Sequence, residues 1–258
     1  MQTTASKDGT TIAFDRIGEG PPVVLVTGGS VDRTANSGLA QELASGFTVF
    51  NYDRRGRGPS TDTPPYAVGR EFEDIDAVIA AAGGAAFLFG ASSGAALALH
   101  ATASGLPVKK LALWEPPFIL DEKLRPPADQ VERYDEMIAA GRPGDALEYF
   151  MTKVVGMPAE MAADMRAQPW WAAQERHAHT LAYDARIMSD YSLPVDAAAL
   201  VTLPTLVVAG GADMPWMRET ARALADALPD GRVRLLEGQG HNVDDRVLAP
   251  VLVEFFTE

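Results

Sequence analysis

Short apolar runs that stop at glycine, each answered by a helical stretch, constrain this chain more than any other feature. PVVLVTGG, AAFLFG and PTLVVAGG are almost continuous in apolar residues and close on one or two glycines. A strand covered on both faces reads that way, whereas a half-exposed strand alternates. FTVFNYD, KKLALWEPP and VRLLEG extend the series. Between these runs come EFEDIDAVIAAAG, with Phe72, Ile75, Val78 and Ile79 at helical spacing, then SSGAALALHATASG, MRETARALADAL and a terminal VLAPVLVEFF. Such alternation predicts an α/β fold, a mostly parallel, doubly wound sheet with helices on both faces. TTIAFDRIG behaves differently. It alternates, follows a Lys7-Asp8-Gly9 turn, and predicts an antiparallel hairpin at the start.

One stretch breaks the rhythm. Residues 119–200 contain no convincing strand, only helical pieces punctuated by prolines, and they carry Tyr149, Phe150, Trp170, Trp171 and Tyr183. We read them as a helical cap inserted into a single domain spanning 1–258, whose core comprises 1–118 and 201–258. The net charge of −13 argues against nucleic acid and anionic membranes, which need a basic footprint. There is no cysteine, which excludes disulfides, thiolate nucleophiles and cysteine-ligated metals. No run reaches the roughly eighteen apolar residues of a membrane span, and MQTTASKDGTTIAF shows no secretion signal. The expectation is a cytoplasmic protein with a small-molecule substrate, no nucleic-acid or membrane partner and no particular oligomeric state.

Gly90-Ala91-Ser92-Ser93-Gly94 fits G-x-S-x-G, and it sits where a strand run gives way to a helix, as that motif requires. A sharp strand-to-helix turn exposes the central serine, and the helix N-terminus offers unpaired N–H groups to developing negative charge. Ser92 is therefore the candidate nucleophile and the Ser93 N–H a candidate oxyanion donor, although either hydroxyl could simply cap the helix. A serine needs a base. Of four histidines, His241 follows the last strand run in EGQGHNVDD, His100 lies inside the helix after Ser92, and His177 and His179 lie in the cap. Two residues apart, the last pair would face different sides of a helix, which disfavours a shared metal. His241 is the candidate base. Two carboxylates compete to orient it: Asp213, after PTLVVAGG, and Glu115, at the end of KKLALWEPP. Thr27-Gly28-Gly29-Ser30 supplies the second oxyanion donor, Gly29 ahead of Gly28, because glycines allow close backbone approach.

On the GASSG turn, the LVTGG loop, YDRRGRGPS and GQGH, the chain resembles the α/β-hydrolase family over essentially its whole length. The resemblance implies a sheet of about eight strands with a lid between Glu115 and Pro204, Ser92 as nucleophile, His241 as base, and Gly29 with Ser93 as oxyanion donors. Asn51 to Ser60 looks like the family's D-x-R-G-x-G-x-S stretch, which is structural. Two departures stand out. The family's common His-Gly before the donor is Thr27-Gly28 here. The acid is also open: some branches use a position like Asp213, and some lactonases and dehalogenases one like Glu115. The small actinobacterial-type hydrolases with R-R-G-R-G and E-P-P segments, which the chain most resembles, often lack the later Asp, yet the Gly210–Asp213 spacing tips the balance slightly toward Asp213.

The leading expectation is a serine hydrolase for an ester, lactone or thioester with an apolar part, needing no cofactor or metal, with the cap's Trp170, Trp171 and Tyr149 as pocket candidates. A serine at the turn argues against the aspartate-nucleophile chemistry of epoxide hydrolases and haloalkane dehalogenases. Two other classes compete. Tyr149 and Lys153 match the Y-x-x-x-K of short-chain dehydrogenases, but Asp32 and Thr34 stand where a phosphate loop needs glycines. A ligand-binding or cyclase-like protein could also use the scaffold without hydrolysis.

Overall fold

The computed structural model describes residues 1–212 and 214–258. Its eight strands are β1 (Gln2–Ala5), β2 (Thr11–Ile17), β3 (Pro22–Val26), β4 (Thr48–Tyr52), β5 (Ala86–Ala91), β6 (Val108–Trp114), β7 (Thr205–Ala209) and β8 (Gly231–Leu235). They form one sheet in the order β1-β2-β4-β3-β5-β6-β7-β8. The β1–β2 and β2–β4 pairings are antiparallel, and every pairing from β4 to β8 is parallel. The alternating first run is thus the hairpin, and the continuous runs form the covered centre except VRLLEG, whose strand β8 is a largely exposed sheet edge. All five residues of β4 and of β7 are buried.

Period-two side-chain alternation divides the interior into two layers. Val24, Val26, Leu88, Leu111 and Val207 face α2 (Val68–Ala81), α3 (Ser93–Ala103) and α10 (Trp216–Ala227). Val23, Leu25, Phe89, Ala112 and Val208 face α1 (Ser37–Leu43) and α11 (Asp245–Thr257). Helix α1 went unread in the sequence because SGLAQEL is only two turns long.

Between β6 and β7 the regular elements are helical: α4 (Gln130–Ala139), α5 (Pro143–Tyr149), a π-helical turn over Phe150–Val154, α6 (Ala159–Arg166), α7 (Trp171–Glu175), α8 (Leu181–Met188) and α9 (Val195–Leu200). Tyr134, Leu147, Trp171, Leu181, Ala182 and Ala185 make a small core of their own there. Ala198 of α9 joins the α3 layer over the sheet. Helix α8 serves both: Ala182 and Ala185 face the cap core, while Ile187 and Met188 face the sheet layer. Among the described residues no helix is long and apolar enough to cross a membrane.

Candidate active site

The turn between β5 and α3 is set by close packing. A methyl on Gly90 would lie 2.4 Å from the Gly94 carbonyl oxygen, and one on Gly94 would lie 2.3 Å from the Thr27 carbonyl oxygen. Only glycine permits either approach. Ser92, between them, has φ 56° and ψ −128°, a conformation costly for a side-chain-bearing residue. It is held there because its N–H donates to Trp114 O at 2.9 Å while its carbonyl accepts from Ala95 and Ala96. The Ser92 side chain therefore stands off the turn beside Gly28, whose α-carbon approaches it so closely that an added methyl would sit 3.1 Å from Ser92 Cβ.

Glu115 immediately follows β6, also at positive φ (41°), and is 1% exposed. Its Oε1 accepts from the Gly210 and Gly211 N–H groups, both at 2.9 Å, and its Oε2 lies 2.7 Å from His241 Nδ1. With two backbone donors on one oxygen, the carboxylate can turn the other only toward the imidazole. The loop carrying His241 is fixed in turn. Trp114 Nε1 donates to His241 O at 2.9 Å, Ala212 N–H donates to Gln239 O at 3.0 Å, and Gly210 leaves room for that carbonyl. Of the two carboxylates the sequence left open, Glu115 is thus in contact with His241; Asp213 lies outside the described residues.

Ser92, Ser93, Gly28, Gly29 and His241 all line one cavity of about 470 Å³. Its walls are chiefly apolar, with Val31, Leu39, Phe150, Val154, Met188 and Trp216 among them. As the first residue of α3, Ser93 has an N–H with no acceptor one turn back in its helix.

The cap aromatics expected in the pocket do not line this cavity. Trp171 is buried in the cap core with its Nε1 on Glu175 Oε1, Trp170 is 41% exposed, and Tyr149 packs edge-on against Tyr134. Trp171 and Tyr149 pack in or against the cap core because large rings are what a small helical subdomain has for one. Phe150 and Val154 from the π-helical turn reach the cavity instead. His100 sits on α3, its pKa lowered by burial, and does not line the cavity. In the cap, His177 Nε2 accepts from the Gly58 N–H at 3.3 Å, and His179 Nε2 is 4.0 Å from Asp62. Among the described residues no cluster could hold a metal ion.

YDRRGRGPS folds as a buried ionic frame. Arg54 clasps Glu71 with two hydrogen bonds (2.7 and 2.8 Å), and Arg55 clasps Asp74 with two more, both 2.7 Å. Arg54 Nη1 and Arg57 Nη2 each also reach Asp184 of α8 at 2.7 Å. Asp184 is 5% exposed and lines the cavity, yet sequence reading passed over it. Burial pushes its carboxyl pKa up, but Arg57, Arg54 and the Ser93 hydroxyl outweigh that and hold it below the usual carboxylate range.

A model of the alpha/beta hydrolase family matches residues 23–251. The chain belongs to that family. An alpha/beta hydrolase from Sphaerobacter thermophilus DSM 20745 is 54% identical, with a TM-score of 0.92 over 99% of this chain and 100% of that one. An esterase from Thermogutta terrifontis, 24% identical, shares the fold at a TM-score of 0.76 over 100% of this chain and 98% of that one. The uncharacterized hydrolase YraK of Bacillus subtilis (strain 168) is 34% identical over 100 residues, which is 37% of this chain and 37% of that curated relative.

Proposed function

We propose that the protein is a serine hydrolase that cleaves an ester, lactone or thioester of a small, largely apolar substrate through an acyl-enzyme. The observation that carries this reading is the 2.7 Å contact between Glu115 Oε2 and His241 Nδ1 at the rim of the cavity that Ser92 also lines. A carboxylate at Nδ1 holds the proton there and directs the basic lone pair to Nε2. In this reading Ser92 Oγ attacks the substrate carbonyl while His241 takes its proton. The tetrahedral oxyanion is met by the N–H groups of Gly29 and Ser93, and His241 returns the proton to the leaving oxygen or sulfur. Water, deprotonated by the same imidazole, then releases the acid and restores Ser92. The apolar walls favour an acyl or alkyl group without charge, since a buried charge there would find few partners.

Hydrolysis of p-nitrophenyl esters and of simple lactones tests this. Ser92→Ala should reduce turnover by about a millionfold, to background, with the circular dichroism spectrum unchanged. A Ser92→Ala protein as active as the parent would contradict the proposal.

A further inference from the structure

An oxyanion hole built from two elements works only if those elements keep a fixed separation. Here one donor belongs to the turn after β3 and the other to the start of α3. Asp184, from the cap helix α8, touches the supports of both. Its Oδ1 accepts from Ser93 Oγ at 2.8 Å and from Arg54 Nη1 at 2.7 Å, and its Oδ2 accepts from Arg57 Nη2 at 2.7 Å. Arg57 Nη1 donates onward to the Gly28 carbonyl and, at 3.3 Å, to the Val31 carbonyl. Arg54 Nη1 also reaches the Thr27 carbonyl at 3.4 Å. Gly29 lies against the same carboxylate: a methyl on its α-carbon would be 3.2 Å from Asp184 Oδ2 and 3.5 Å from Ser93 Oγ.

We infer that Asp184 is a positioning residue of the hydrolase. From the cap it sets the spacing of the two oxyanion donors, holding Ser93 directly and the Gly28–Gly29 turn through Arg57. The inference rests on the hydrolase reading above. It also explains an arrangement that electrostatics alone would disfavour. A carboxylate beside an oxyanion hole repels the charge that develops there, and two guanidiniums offset that repulsion. What remains is geometry: a rigid acceptor whose two oxygens take three donors at once. An asparagine cannot replace it, because its NH₂ would face a donor whichever way the amide turned.

The two accounts predict opposite signs for Asp184→Asn. If charge alone mattered, removing it would raise kcat. Positioning predicts a fall in kcat of about 100-fold with KM nearly unchanged, because small misplacements of catalytic donors cost rates of that order. The test is steady-state hydrolysis of a p-nitrophenyl ester together with the affinity for an alkylboronic acid, whose adduct with Ser92 is tetrahedral and places an oxygen in the hole. Boronic-acid affinity should fall in parallel with kcat. Ser93→Ala, which keeps the backbone N–H and removes only the tie to Asp184, should lower both by about tenfold and decides the matter if Asp184→Asn does not fold. Parent-like or higher kcat in Asp184→Asn, an effect on KM alone, or undiminished boronic-acid binding in Ser93→Ala would overturn the inference. A parent protein that neither turns over nor binds the boronic acid would instead overturn the hydrolase reading, and this inference with it.

Discussion

Two buried carboxylates serve the same cavity, Asp184 as part of its lining and Glu115 through His241, and their partners differ in kind. Glu115 follows a central strand and meets two backbone N–H groups and an imidazole. Asp184 sits on a cap helix and meets two guanidiniums and a hydroxyl. An imidazole gains and loses a proton near neutral pH, whereas a guanidinium never does. The first environment can therefore serve a proton transfer and the second can only hold things still. Burial does not separate the two carboxylates; the chemistry of their partners does.

Substitutions that remove charge and keep shape probe this contrast most sharply. Glu115→Gln should cost the most, about 10³- to 10⁴-fold in kcat, because the amide neither stabilises an imidazolium nor fixes the tautomer. Steady-state kinetics would show this, with the fold intact by near-UV circular dichroism. Asp184→Asn should lie well below it, at the smaller loss argued above, so equal losses at the two positions would erase the distinction. The turn that holds Ser92 should be sensitive to a single methyl. Gly94→Ala, which drives a carbon into the Thr27 carbonyl, should cost about 1–3 kcal/mol or more in urea denaturation.

Acid provides a smaller and more selective effect. The folded Asp184 carboxyl is held below its ordinary range, whereas in the unfolded chain it titrates near pH 4, roughly. Its ion pairs therefore contribute fully above that pH, and the contribution disappears as pH falls through the lower folded value. The Tm gap between the parent and Asp184→Asn should be constant from neutral pH down to the carboxylate range and shrink below it. A gap independent of pH would mean that the charge on Asp184 does not stabilise the fold.

What could be read from the sequence was what is local. Gly90-Ala91-Ser92-Ser93-Gly94 carries its own turn geometry, and the continuous strand runs declare their burial. The partner of His241 is not local, since it depends on which strand end lies beside the histidine loop, and in the sequence a carboxylate follows each of two neighbouring strands, β6 and β7. Asp184 had a signal that went unused. It lies three and four residues before Ile187 and Met188, on the side of α8 that turns to the core, and a charge on that side needs a buried partner. Arg54 and Arg57 of YDRRGRGPS are those partners, in a segment with more cations than it can itself satisfy. The size of Trp171 and Tyr149 suits the cap core as well as a pocket, so size alone does not place them at the cavity.

Intact-mass kinetics of labelling by a fluorophosphonate tests the central claim most directly, comparing the parent with Ser92→Ala, Glu115→Gln and Asp213→Asn. A single adduct that is absent in Ser92→Ala, and slowed far more by Glu115→Gln than by Asp213→Asn, is the predicted result. Labelling that survives Ser92→Ala, or that depends on Asp213 and not on Glu115, would contradict it.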